Sequence, residues 1–225
     1  MVHKVYTFEN IKYIVSYPTD FCEEKTYPTI FFMHGSGNRG DDINLLFQNA
    51  YFLELKKHED DFPFITVAPQ CSADTWFELW HVLKGLVQHV ATLPFVDTSR
   101  LYLMGTSMGG YGAWQLAMSI PEYFAAMVPI CGGGMYWNAG RLINIPIWAF
   151  HGADDTIVLP EESQKMVNAV NNKGGNAKLT IYPDTPHSVW LKVYSDPQVF
   201  DWLLQYENQN TQILQNCNND IAAFG

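Results

Sequence analysis

Positive charge is scarce in this 225-residue chain: 13 Lys and Arg face 23 Asp and Glu, for a formal net charge of −10. Binding a phosphate backbone takes Lys and Arg clustered on one face, and no such cluster appears, which excludes nucleic acid as a partner. The same shortage disfavours any polyanionic substrate. Cysteine is sparse as well. Cys22, Cys71, Cys131 and Cys217 are scattered, with no CxxC pair and no His–Cys spacing, so neither a zinc site nor a disulfide scaffold has support. No apolar run approaches the roughly 18 residues of a membrane helix, so no membrane association is expected. The opening residues Met1-Val2-His3-Lys4-Val5-Tyr6 lack the basic start, apolar core and cleavage site of a signal peptide. The expectation is a cytoplasmic protein with reduced, mostly buried thiols.

What the chain does have is apolar substance. Apolar residues make up 48%, aromatics 15% and charged residues only 16%, so folding can offset the chain entropy and disorder is excluded. The length suits one compact domain spanning 1–225, with no linker, repeat or charge block to divide it. The exception is the Gln- and Asn-rich stretch Gln205–Asn219. A tail or an extra helix packed by Ile213, Leu214 and Phe224 is expected there, over about 207–225.

Short β-rich runs alternate with longer helical stretches, the pattern of an α/β fold with a mostly parallel sheet of about eight strands and helices on both faces. The first two strands, Val5–Phe8 and Lys12–Tyr17, form an edge hairpin turning at Glu9-Asn10. Strands Thr29–Met33, Phe64–Ala68, Leu101–Met104, Ala125–Ile130, Ile147–Phe150 and Ala177–Tyr182 follow, the middle ones apolar enough for burial on both faces. Helices are expected over about Ile43–His58, Phe77–Thr92, Met108–Ser119, Pro160–Asn172 and Pro197–Tyr206, with Pro160 and Pro197 in first turns.

Chemistry concentrates at Gly105-Thr106-Ser107-Met108-Gly109-Gly110, between a strand and an apolar helix. In G-x-S-x-G a sharp strand-to-helix turn holds the serine in a strained conformation, and small neighbours avoid the clash this creates. The turn lifts the hydroxyl clear of the sheet, above a helix N-terminus that favours developing negative charge. A serine nucleophile needs a base, and the base an orienting acid. Only His151 and His187 follow Ser107. His151 closes a strand and reads as a histidine satisfied by backbone bonds. His187, in the loop after Ala177–Tyr182, can reach the nucleophile and is assigned as base. For the acid, spacing from the strand end favours Asp155 over Asp154, while Asp184 sits on the wrong loop.

Backbone amides in the glycine-rich turn His34-Gly35-Ser36-Gly37-Asn38-Arg39-Gly40-Asp41-Asp42 can face a carbonyl oxygen as it becomes an anion. The expected oxyanion pair is the amide of Ser36 with that of Met108. Arg39, flanked by Asp41 and Asp42, reads as part of an ion-pair network holding the loop, ahead of a rival role as a clamp for an acidic substrate.

Together these residues resemble the α/β-hydrolase superfamily from Val5 to about Tyr206, without a large lid domain. His34–Asp42, Ala68-Pro69-Gln70-Cys71, Val96–Gly110 and His151-Gly152-Ala153-Asp154-Asp155 look like its carboxylesterase and predicted-peptidase branch, which includes dienelactone-hydrolase-like and feruloyl-esterase-like members. The resemblance puts the acid at Asp155 and the base at His187, in agreement with the spacing. Thr156 stands where many relatives carry Pro. The implied activity is a serine carboxylic-ester hydrolase that needs no metal or cofactor.

The stretch between Ile130 and Ile147 is too short for a large lid, which disfavours a true lipase and suits short-chain or aromatic acyl esters, including carbohydrate-linked ones. Trp76, Trp137 and Trp190 fall on loops at the C-terminal edge of the sheet, where they could stack on a ring or simply pack the loops. Trp114, Trp148 and Trp202 read as core. The alternatives are a thioesterase or lysophospholipase, a small serine peptidase of the same superfamily and, less favoured, a non-catalytic binding protein. The expected partner is a small-molecule or carbohydrate-linked ester, and a homodimer is left open.

Overall fold

A computed structural model describes residues 1–209. Eight strands form one sheet in the order β1-β2-β4-β3-β5-β6-β7-β8. The hairpin β1 (Val2–Phe8) and β2 (Ile11–Tyr17) enters antiparallel, and β2 also pairs antiparallel with β4. From there β3 (Tyr27–Met33), β4 (Ile65–Pro69), β5 (Val96–Thr106), β6 (Ala126–Ile130), β7 (Ile147–Gly152) and β8 (Ala177–Tyr182) run parallel. Parallel strands need crossovers, and the helices that supply them cover both faces of the sheet.

The two-residue period of the strands sorts the core into two layers. Phe31, Met33, Leu101 and Leu103 face α3 (Trp80–Val90), α4 (Met108–Ser119) and α5 (Pro160–Asn172). Ile30, Phe32, Tyr102 and Met104 face α1 (Asn44–Phe47), α2 (Ala50–Lys57), α6 (Trp190–Tyr194) and α7 (Pro197–Leu203). The helical period is equally legible: α3 buries Leu83, Leu86, Val87 and Val90, and α5 buries Ser163, Met166, Val167 and Val170. Pro160 opens α5 in its first turn. Its far end closes with Gly175 N–H on Val170 O and Gly174 N–H on Asn171 O, the Schellman pattern.

Several boundaries differ from the sequence expectation. The helix expected over 43–58 is two helices, because Asn49 breaks it: its side chain accepts from the Tyr51 amide and caps α2. The helix expected from residue 77 begins as a 3-10 turn, Trp76–Leu79, with Thr75 and Glu78 forming a capping box, and becomes α-helical at Trp80. Strand β5 starts earlier than residue 101, since Tyr27 of β3 pairs with Val96. Below β5 the chain is tied at Tyr206 and Asn208, by Tyr102 Oη–H on Tyr206 O and Asn208 N–H on Ser99 O. Ile213, Leu214 and Phe224, expected to pack an extra helix, lie outside the described residues.

Candidate active site

Strand β5 ends at Thr106 and α4 begins at Met108, so Ser107 alone makes the turn. Its φ of 56° and ψ of −118° are a strained combination for a residue with a Cβ. Packing shows why glycine flanks it. A Cβ on Gly105 would lie 2.1 Å from Gly109 O, and one on Gly109 would lie 2.0 Å from Met33 O. Helix α4 therefore rests directly on the β3 and β5 backbones, and the Ser107 amide is held by Ile130 O at 2.9 Å.

Three loops at the C-terminal ends of the strands converge on this serine. Ser107 Oγ lies 2.8 Å from His187 Nε2, and His187 Nδ1 lies 2.6 Å from Asp155 Oδ2. Asp155 Oδ1 accepts from the amides of Ile157 and Val158, each at 3.0 Å. Burial works to raise the Asp155 carboxyl, but the hydrogen bonds from His187 and from those two amides outweigh it and hold it below the ordinary carboxylate value. Asp155 is thus an anion placed to fix the His187 tautomer with its proton on Nδ1, which leaves Nε2 free to accept from Ser107. Asp154 is exposed, and Asp184 occupies a turn at φ 50°.

The turn after β3 supplies the opposite wall. Gly35 lies against Ser107: a Cβ there would sit 3.4 Å from Thr106 O and 3.5 Å from Ser107 Cβ. Ser36 and Met108 are first residues of their helical segments, so their amides have no acceptor within those helices. Ser36, Ser107, His187 and Trp190 line one cleft of about 320 Å³, together with Gln48, Asn49 and Ala50 from the junction of α1 and α2.

The turn is braced from beneath by residues the sequence reading passed over or placed elsewhere. His34 is fully buried; its Nε2 accepts from the Cys71 amide at 2.9 Å, so Nδ1 carries the proton and donates to Gly35 O at 2.6 Å. Burial pushes this imidazole down to about 4 and keeps it neutral. Trp76, expected as a candidate ring-stacking residue, is instead completely buried: its ring packs on His34 at 4.8 Å and its Nε1–H donates to His34 O at 3.0 Å. It holds the turn and cannot meet a substrate. Arg39 also differs from expectation. Its Nε–H donates to Ser36 O at 3.1 Å and its Nη1–H to Asp74 O at 2.7 Å, with the Asp74 carboxylate 3.8 Å away; Asp41 and Asp42 are not its partners. Instead Asp42 caps Asn44, and Asp41 O receives Lys12.

The other two tryptophans part company. Trp190 lines the cleft and stands edge-on to His187 at 5.3 Å. Trp137 is 68% exposed on the 3-10 segment Tyr136–Leu142, away from that cleft. It neighbours a second, apolar cleft of about 430 Å³ lined by Phe77, Trp80, Tyr111, Gln115, Gly134 and Met135. Tyr111, which lines this second cleft, stands one helical turn beyond Ser107 on α4, its amide donating to Ser107 O. Among the described residues, one grouping has metal-ligating atoms within 4.8 Å of one another: Cys131, Asp155 and His187. Its compactness is that of the Asp155–His187 pair beside a thiol that burial pushes up toward its neutral form.

Comparison with known proteins places the architecture. A crystal structure of a thermostable esterase matches with a TM-score of 0.77 at 29% identity, over 91% of this chain and 63% of that one. Dipeptidyl-peptidase 5 of Porphyromonas gingivalis is 22% identical over 223 residues, covering 76% of this chain and 32% of the relative. The bifunctional acetylxylan esterase/xylanase XynS20E of Neocallimastix patriciarum is 22% identical over 190 residues, covering 73% of this chain and 27% of the relative. The chain thus spans about a third or less of the curated relatives it matches. The dienelactone hydrolase family model matches residues 57–200, from the end of α2 into α7. On that match and on an α/β-hydrolase sheet with the Ser107 turn at its centre, the chain belongs to the dienelactone hydrolase family.

Proposed function

We propose that the protein is a serine carboxylic-ester hydrolase acting through Ser107, His187 and Asp155 by way of an acyl-enzyme. The observation that carries the reading is the unbroken chain of contacts, 2.8 Å from Ser107 Oγ to His187 Nε2 and 2.6 Å from His187 Nδ1 to Asp155. As Oγ attacks the ester carbonyl, its proton passes to Nε2, and the carbonyl oxygen takes the negative charge beside the Ser36 and Met108 amides. Each such donor is worth about 3 kcal/mol in the transition state. Collapse breaks the bond to the alcohol oxygen, which leaves with the proton from Nε2. Water then attacks the acyl-enzyme with His187 as base again, releasing the acid and restoring the Ser107 hydroxyl.

The substrate class we infer is a short-chain or aromatic acyl ester, including esters on carbohydrate. The leaving oxygen must approach Nε2, which assigns the alcohol to the cleft of Gln48, Asn49 and Trp190, where amide groups and an indole suit a sugar. The apolar cleft lined by Phe77, Trp80 and Tyr111 suits an aromatic acyl group. Between Ile130 and Ile147 the only helical segment is the 3-10 stretch Tyr136–Leu142, so no helical lid from that loop covers a long acyl chain. The acetylxylan esterase/xylanase likeness favours the same class. A serine peptidase is the second reading, favoured by the likeness to dipeptidyl-peptidase 5.

The test is a panel of p-nitrophenyl acetate, p-nitrophenyl octanoate, methyl ferulate, acetylated xylan and an aminoacyl-anilide, run on wild type and Ser107→Ala. Turnover of acetate and ferulate is expected, lowered on the order of 10⁶-fold in Ser107→Ala. Near-wild-type ester turnover in that variant refutes the mechanism. Preference for octanoate refutes the open-cleft substrate class, and exclusive anilide cleavage selects the peptidase reading.

A further inference from the structure

Asp155 touches a second histidine that the mechanism above does not use. His151, at the end of β7, is completely buried, with Nε2 2.8 Å from Val158 O and 3.3 Å from Asp155 Oδ2. Both neighbours only accept hydrogen bonds, so Nε2 must carry a proton. On the other side of the ring, Nδ1 lies 2.7 Å from Ser163 Oγ, which lies 2.8 Å from Gly132 O. The Ser163 hydroxyl, with one proton, lies between these two acceptors and sets the plane of the ring.

The Asp155 carboxylate is held on both oxygens. Its Oδ1 takes the Ile157 and Val158 amides, its Oδ2 takes His187 Nδ1–H, and His151 Nε2 stands 3.3 Å from that same Oδ2. The Val158 peptide is gripped from both ends, its N–H by the carboxylate and its C=O by the imidazole. We propose that His151 is a positioning residue for the acid of the triad: its Nε2–H, shared between Val158 O and Asp155 Oδ2, fixes the carboxylate that orients His187. This rests on the triad reading above and adds a fourth side chain to it, one that meets no substrate.

The consequence is electrostatic as well as geometric. A donor on Oδ2 competes with His187 for the same lone-pair region and tempers the carboxylate. Without that donor the carboxylate binds a protonated His187 more strongly, so His187 should titrate at higher pH. The other titratable groups in the neighbourhood are few. Burial raises both the Cys131 thiol and the Tyr111 phenol, while Glu162 acts on Tyr111 and Lys192 is bound to Thr185 in the His187 loop.

The experiment follows the His187 imidazole by NMR across pH in wild type, His151→Ala and His151→Gln, with the kcat and KM of the best ester alongside. In His151→Ala the His187 midpoint should move upward. Its kcat should fall between about ten- and a hundredfold with KM nearly constant, as expected when a base is misplaced. His151→Gln, which restores an N–H donor, should return the midpoint toward wild type. An unmoved His187 midpoint in His151→Ala overturns the proposal whatever happens to kcat. If His151→Ala does not fold, the wild-type tautomer decides: Nε2–H on His151 supports the proposal and Nδ1–H overturns it. Because the midpoint and the tautomer are read without substrate, absence of ester turnover would count against the function reading and leave this one standing or falling by itself.

Discussion

The sharpest test of how the turn through Gly35 and Ser36 is held is Trp76→Phe. Trp76 stacks on His34 and donates its indole N–H to the His34 carbonyl from a fully buried position, next to the peptide that leads into Gly35 and Ser36. Phenylalanine keeps an aromatic ring there but loses the donor, orphaning a buried acceptor at about 1–3 kcal/mol. The smaller ring also leaves a void, which adds a cavity cost on the order of 1 kcal/mol. Together these amount to about 3 kcal/mol, or roughly 6–12 °C in Tm for a domain of this size. The turn should loosen with the loss, so kcat should fall while KM for aromatic esters stays nearly constant. Urea titration with thermal melts reads the first effect, and steady-state kinetics on methyl ferulate the second. A variant that melts with wild type but shows a raised KM for aromatic substrates would refute the brace and reinstate Trp76 as a substrate-facing ring.

Two further outcomes follow from the same wall and its neighbour. His34 is neutral in the fold, down at about 4 against an ordinary 6.5, so between those values the unfolded chain binds the extra proton and stability rises with pH. Urea unfolding should lose about 3 kcal/mol from this group as pH falls from 6.5 to 4; His34→Gln should show a shallower slope across that window, and an identical slope would refute the assignment. Asp155→Asn should lower kcat on the order of 10⁴-fold by letting His187 adopt the wrong tautomer, while Asp154→Asn should change it little; comparable losses in both variants would contradict the placement of the acid.

Much of this was legible in the sequence because local chemistry and global packing agree there. The G-x-S-x-G turn announces itself since only glycine allows α4 to rest on β3 and β5, and a Cβ at Gly109 would meet Met33 O. Asp155 and His187 were reachable from strand-end spacing, which the parallel sheet converts into proximity. Elsewhere one sequence pattern admits two environments. An aromatic after a strand looks the same on a rim or in a core, so Trp76 and Trp190 could not be told apart until burial separated them. The continuous apolar periodicity over 43–58 hid the break at Asn49, which only its bond to the Tyr51 amide reveals. The expected ion-pair network around Arg39 failed because adjacency along the chain is not adjacency in space; the partner, Asp74, is remote in sequence. In the HGADD motif a strand-end histidine satisfied by a backbone bond, His151 on Val158 O, also stands beside the acid. His151 and Asp155 stand four apart across a tight turn, close enough for the imidazole to reach the carboxylate.

The two sides of the cleft are built unequally. On the acid side, the turn from Asp155 to Val158 is closed by hydrogen bonds to its own carboxylate and to His151, which leaves little freedom to accept a new residue. Opposite, Gln48, Asn49 and Ala50 sit at the joint between two short helices, and the Gln48 side chain is exposed. Asn49 is committed to the Tyr51 amide and to Asn38, whereas an exposed side chain such as that of Gln48 tolerates substitution better than a hydrogen-bonded turn. An engineer seeking a new alcohol preference should therefore randomise Gln48 and leave both the acid turn and the Asn49 cap untouched, and divergence among homologues with different leaving groups should gather at the position of Gln48.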